Sequence, residues 1–268
     1  IRDRFKTQYA DKSPAGQKKL LSVLQQAANE STNAPENQYA LLSDCIAAAS
    51  VFGAVDEGWD ACQQIETTFD VKELPQIDFA KNIRPALIEL SAGLLYFHGS
   101  EKIDQLIGDN RYDDAEQLAK ALEVSLRRTL PAGSKDLKKL SVKAKLLKRE
   151  FKKIRDDLDV LEIDPSNEVA NTEAGMFYFE KQHDFERGLP YLAKSSSAKV
   201  RMLAKQNFNA SSTAQRLALA DRWWDLGKDK KLDCFQILAA QQYQLIIEEL
   251  TGVEKSTAQT RIKKALPP

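Results

Sequence analysis

Apolar residues recur at helical spacing along almost the whole chain. Leu20, Leu21, Leu24, Ala27 and Ala28 form the first stripe, behind Ser13-Pro14, which reads as a capping serine followed by proline at the first helical position. Pro35 restarts the chain, and Tyr39, Leu42, Ile46, Ala49 and Phe52 mark a second long helix that ends at Gly53. Val55, Trp59, Cys62, Ile65 and Phe69 mark a third. The turn at residues 53–56 makes these two an antiparallel hairpin. Residues 76–98 read as a further helical region on Ile83, Leu87, Leu90, Leu94 and Phe97, kinked or restarted by Pro85. His98 is expected to close it beside Gly99, where it can bond free carbonyls.

The longest unbroken pattern follows. Leu137, Leu140, Ala144, Leu147, Phe151, Ile154, Leu158 and Leu161 alternate spacings of 3 and 4, a heptad seam. Tyr112, Ala115, Ala119, Leu122 and Leu126 precede it at the same spacings. Leu130-Pro131-Ala132-Gly133 breaks the chain between them, and Ser134 can cap the second arm. Residues 110–162 are therefore expected to form a long antiparallel hairpin. Its second arm, about 30 residues at 1.5 Å each, is roughly 45 Å long.

Composition agrees with helices. The 268 residues include only 11 Gly and 9 Pro, few for the turns of a sheet protein. Basic and acidic residues balance at 39 each, so the whole chain is no electrostatic trap for nucleic acid or anionic membrane, and no nucleic-acid partner is expected. From Ser134 to Arg155, however, ten Lys or Arg face only Asp136 and Glu150. This run is either a patch for an anionic partner or, as we favour, the solvated back of the heptad helix, since no aromatic residues interleave for base stacking. The acids Asp156, Asp157, Asp159, Glu162 and Asp164 follow directly. No apolar run reaches the roughly 20 residues that span a bilayer. The chain begins at Ile1, which reads as a processed protein or an excised piece and leaves room for a removed export signal.

Cys45, Cys62 and Cys234 form no CxxC and no even framework. Cys45 and Cys62 lie almost equally far from the hairpin turn. Two small apolar side chains in a seam are the favoured reading; a disulfide, which needs Cα atoms within about 7 Å, is the alternative.

Repeats organise the second half. In NTEAGMFYFEKQHDFERGLPYLAKS, Gly175, Tyr178, a polar turn, Phe185 and Gly188 succeed one another. That order is similar to the tetratricopeptide pattern, with the second small residue displaced by one position. Weaker echoes occur at Asn110–Ala115, at Leu217–Leu226 and over residues 39–69. Trp223 and Trp224 are neighbours on a helix and point about 100° apart, so they cannot share one seam. One ring is expected to pack within its helix pair and the other against a neighbouring or terminal helix.

The segments DFERGLPYLAK, LADRWWDL and AAQQYQLIIEEL resemble, in that order, a bacterial tetratricopeptide-like helical-repeat module. The resemblance covers most of the chain and is specific over roughly residues 164–266. Departures are Ser195-Ser196-Ser197 for Gly-Ser-Asp and Gly227 for Ala. It implies one part of a larger multidomain bacterial protein, exported or envelope-associated in preference to cytoplasmic, and it brings no catalytic residues.

Chemistry leaves no local mark. Only His98 and His183 are present, and His183 lies in the turn Lys181–Asp184. HExxH, zinc spacings, nucleotide-binding glycine loops and GxSxG are all missing from the sequence. No catalytic residue, cofactor or metal is assigned.

The expectation is an all-α protein of stacked TPR-like antiparallel hairpins with a long central coiled-coil-like hairpin. Its parts are 1–108, 109–163 and 164–268, or one continuous domain. The expected function is a noncatalytic interaction or scaffolding module, holding a protein or peptide partner, or adjacent domains of the same polypeptide, in a concave groove. Tyr178, Arg187 and Tyr191 are the groove candidates. The alternative is an envelope module that binds a ligand or carbohydrate, or accompanies a hydrolase, and that uses Trp223 or Trp224 as an exposed stacking surface.

Overall fold

Caps and prolines set many of the helix starts. A computed structural model describes residues 1–84, 88 and 91–266. Among them the chain is all-helical, with fourteen α-helices and no strand. It falls into two compact units, Ile1–Lys148 and Arg149–Pro268, so the division runs inside one long helix.

The first unit contains α1 (Lys6–Ala10), α2 (Pro14–Glu30), α3 (Pro35–Phe52), α4 (Val55–Thr68), α5 (Pro75–Asn82), α6 (Ala92–Gly108), α7 (Tyr112–Leu126) and the start of α8 (Pro131–Ile163). Ser13 accepts from the Gly16 amide and Pro14 occupies the first turn of α2. Gly53 ends α3 in the left-handed conformation, at φ 74°. Helix α3 packs between α2 and α4, and α6 pairs with α7. Leu24, Leu42, Cys45, Cys62, Phe79 and Leu122 are completely buried there. Each buried leucine contributes roughly 1.5–3 kcal/mol relative to an exposed one.

Two expectations fail in this unit. The region 76–98 is interrupted, in keeping with a restart, since α5 stops at Asn82 and α6 begins at Ala92, but its expected apolar stripe does not hold. Pro85, Leu87 and Leu90 lie outside the described residues, while Leu94 and Phe97 are 44% and 54% exposed. His98 does not close a helix either, because α6 runs on to Gly108. Gly99 is there for a different reason: a side chain at that position would collide with Leu122 of α7.

In α8 the seam is visible in the burial. Leu137, Ala144, Leu147 and Ile154 are buried and Leu140, Phe151, Leu158 and Leu161 partly buried, whereas Lys135, Lys138, Lys145 and Lys152 are exposed. Ser134 is not a cap. The helix already starts at Pro131, and the buried Ser134 hydroxyl instead donates to the Glu123 carbonyl of α7 at 3.0 Å. Lys148 pairs with Asp113 at the other end of α7.

The second unit holds the rest of α8, then α9 (Glu168–Phe177), a π-helical turn (Tyr178–Gln182), α10 (Phe185–Leu192), α11 (Ala198–Asn207), α12 (Thr213–Lys230), α13 (Asp233–Ile246) and α14 (Gly252–Ala265). Ser212 and Gln215 form a reciprocal cap at the start of α12. Neighbours in sequence pack together: α9 with α10, α12 with α13, α13 with α14. One apolar cluster joins Phe179, Leu192, Leu203, Trp223, Phe235 and Tyr243.

Candidate functional site

The groove candidates come together at the junction of α9 and α10. Asn167 caps α9 and Asp184 caps α10, each accepting an amide three residues on at 3.0 Å. Between the two helices the π turn widens the backbone, and His183 reverses it in the left-handed region, at φ 56°. The helices then approach closely through their glycines. A side chain on Gly175 would reach within 2.6 Å of Leu192, and one on Gly188 would strike Phe179.

This geometry sets three side chains in a stack. The Arg187 guanidinium lies 4.4 Å from the Tyr178 ring centroid. Tyr191 stacks on Tyr178 at 5.7 Å and 17°, and Phe177 meets Tyr178 edge-on. Tyr178 is completely buried, whereas Arg187 and Tyr191 are partly exposed. The surface of this patch is thus Arg187 and Tyr191, with Tyr178 as backing. A guanidinium held over a ring is restrained by it.

The tryptophans divide as their angular offset demands. Trp223 faces α13, stacked on Phe235 at 5.3 Å and 25°, with Phe179 at 6.2 Å. Trp224 faces α14, under Arg261 at 5.4 Å and Lys264 at 5.9 Å. The rings are only 0% and 5% exposed, so neither offers a stacking face to solvent. The Trp223 indole N–H finds no acceptor among the described residues. Beside Trp224, the Tyr243 hydroxyl donates to Asp221 at 2.7 Å, and Arg261 donates to both Asp221 and Tyr243.

An open cleft of 660 Å³ lies in the first unit. Tyr39 and Phe69 meet edge-on in it at 5.3 Å, and Asp70, Lys72, Glu73 and Asp78 line it. A smaller cleft of 260 Å³ in the second unit is lined by Gln206, Asn209, Gln215 and Arg222.

Sequence reasoning missed the buried polar joints. Glu66 of α4 accepts from Lys102 of α6 at 2.7 Å, from Gln76 of α5 at 2.9 Å and from Arg111 at 3.4 Å. No local signal marks such a group, since its partners are 10, 36 and 45 residues away.

His98 bonds Asp56 at 3.1 Å and stacks on Trp59 at 5.8 Å. His183 sits beside Phe185. Cys45, Cys62 and Cys234 are free and buried. Burial, reinforced by nearby carboxylates, pushes the Cys45 and Cys234 thiols up to about 12; burial and the neighbouring Cys45 push Cys62 up as well. A thiol held neutral is a poor nucleophile. Among the described residues no group of three His, Cys, Asp or Glu is placed to hold a metal ion. None of their helices is long and apolar enough to cross a membrane.

Comparison with protein-family models, with curated proteins and with solved structures finds no match for this chain.

Proposed function

We propose that the chain is a noncatalytic interaction or scaffolding module of a larger bacterial protein, built from TPR-like helical hairpins. Its partner is a protein or peptide, or an adjoining domain of the same polypeptide. The observation that supports this most is the α9–α10 pair. Its two glycines sit where the helices come closest, and its aromatic residues fill the space beside them. That is how a repeat buys close packing with small residues while leaving one surface open. The bonds from Ser134 to Glu123 and from Lys148 to Asp113 support a second, longer antiparallel pair in α7 and the start of α8.

On this reading Arg187 and Tyr191 touch the partner. An arginine and a tyrosine already ordered by Tyr178 lose little freedom on binding, which suits them to carry an interface. The carbohydrate-stacking alternative gains nothing from Trp223 and Trp224, whose rings lie inside the unit.

The test places a photo-crosslinking phenylalanine analogue at Tyr191 in the full-length protein, expressed in its native cell. Crosslinking to one reproducible polypeptide, lost on Arg187→Ala, is the expected result. Irradiation that yields only background, with helicity intact, overturns the reading.

A further inference from the structure

We propose that the outward face of α8 within the first unit, centred on Val142 and Leu146, docks an acidic amphipathic helix of a protein partner. The proposal rests on the reading of the chain as an interaction module and names the chemistry of one partner.

Charge segregation is the first observation. Residues 135–148 carry six lysines and one acid, in a chain whose total charge is zero. Asp136 is taken by Lys139 at 2.8 Å, and Lys148 is taken by Asp113. Among the described residues Lys135, Lys138, Lys143 and Lys145 have no ion-pair partner, and all four are exposed. They form a positive field along one side of a helix whose opposite side, Leu137, Ala144 and Leu147, is already buried.

Exposed aliphatic residues within that field are the second observation. Val142 and Leu146 are 52% and 47% exposed. Residues four apart on a helix are neighbours on one face, so the pair makes a short apolar strip. Lys138 and Lys139 lie one turn before Val142, and Lys143 and Lys145 flank the strip.

A partner that satisfies both features has apolar side chains one turn apart with Glu or Asp on either side. Pairing would cover the strip and neutralise four ammonium groups, the arrangement that flanking charges give a coiled-coil seam. Nucleic acid fits less well, because no aromatic residue lies between 135 and 148 to stack a base. A membrane surface fits less well, because a strip of two aliphatic residues without Trp or Phe inserts little apolar area.

The test uses the full chain and a labelled 20-residue helical peptide with leucines one turn apart flanked by glutamates. Fluorescence anisotropy should show saturable binding that weakens about tenfold between 50 and 300 mM salt. Lys138→Glu with Lys145→Glu should abolish it. Val142→Ser with Leu146→Ser should weaken it roughly tenfold, since these exposed changes remove only the apolar contact. The proposal is overturned by no binding, or by binding that ignores the serine pair. It is equally overturned if a single-stranded oligonucleotide or phosphatidylserine vesicles bind as tightly and lose affinity only with the charge variant. None of these outcomes bears on the Tyr191 crosslink, which reads a different unit.

Discussion

The guanidinium of Arg261 sits 5.4 Å from the ring centroid of Trp224 and donates to Asp221, three residues before that ring. Helix α14 fully buries only Ala258, so this arginine is its principal polar anchor. Arg261→Ala should cost about 1–2 kcal/mol, a charged hydrogen bond discounted for the half-open Asp221. Hydrogen exchange should quicken in α14 and stay unchanged in α12. Arg261→Lys should recover only part of the loss, because an ammonium lacks the planar fork. Unaltered protection of α14 in the alanine variant would refute the anchor.

Trp223 and Phe235 tie α12 to α13. Trp223→Ala should destabilise the chain by about 3–5 kcal/mol, through lost burial and a cavity. Urea denaturation followed by circular dichroism measures it. A loss below about 1 kcal/mol would place the ring outside the core.

Trp59, Trp223 and Trp224 are all buried. Native tryptophan emission should therefore be blue-shifted and resist iodide quenching, and both features should vanish in denaturant. A red, readily quenched native spectrum would restore the exposed-platform alternative.

Glu66 is hemmed in by Lys102 and Arg111, with its side chain 17% exposed and that of Lys102 10%. Glu66→Ala leaves the Lys102 ammonium without its ion-pair partner, holding only Gln105, and should cost about 3 kcal/mol. Glu66→Gln should cost less, since the amide oxygen still accepts. The comparison of the two by thermal melting separates charge from hydrogen bonding.

Alkaline pH should weaken the fold. Burial holds the Tyr243 phenol up, helped by its bond to Asp221, and holds the three thiols up as well. In the unfolded chain these groups ionise at their ordinary values, near 9 for thiols and 10 for tyrosine. From there upward the unfolded state binds fewer protons than the native one, so stability falls as pH rises. Melts at pH 7, 9 and 10 should show a falling midpoint. A thiol reagent at pH 8 should count three cysteines only after unfolding; rapid native labelling would contradict the burial.

Much of this architecture is legible in the sequence. Ser13-Pro14, Pro35 and Gly53 mark helix ends through chemistry confined to a few residues, and the structure uses each of them. The 3-and-4 spacing of α8 separates its buried from its exposed side. Gly99 misleads because a glycine that ends a helix and one that admits a neighbour look alike in sequence; only Leu122, 23 residues on, tells them apart. Ser134 misleads because Pro131 had already begun the helix. The sequence names Tyr178, Arg187 and Tyr191 as groove candidates but says neither that they stack nor which of them is buried.

What the sequence determines by itself is the helical class, several helix ends and the apolar face of a helix such as α8. Period, caps and breakers act within a turn or two, and 3.6 residues per turn then decide which side chains share a side. The tertiary structure alone decides which polar groups from distant helices converge. Glu66 meets Lys102 and Arg111, and Asp221 meets Tyr243 and Arg261, because helix packing brings their ends together. Those meetings depend on the angle and depth at which whole faces interlock, and no short stretch of residues carries that information.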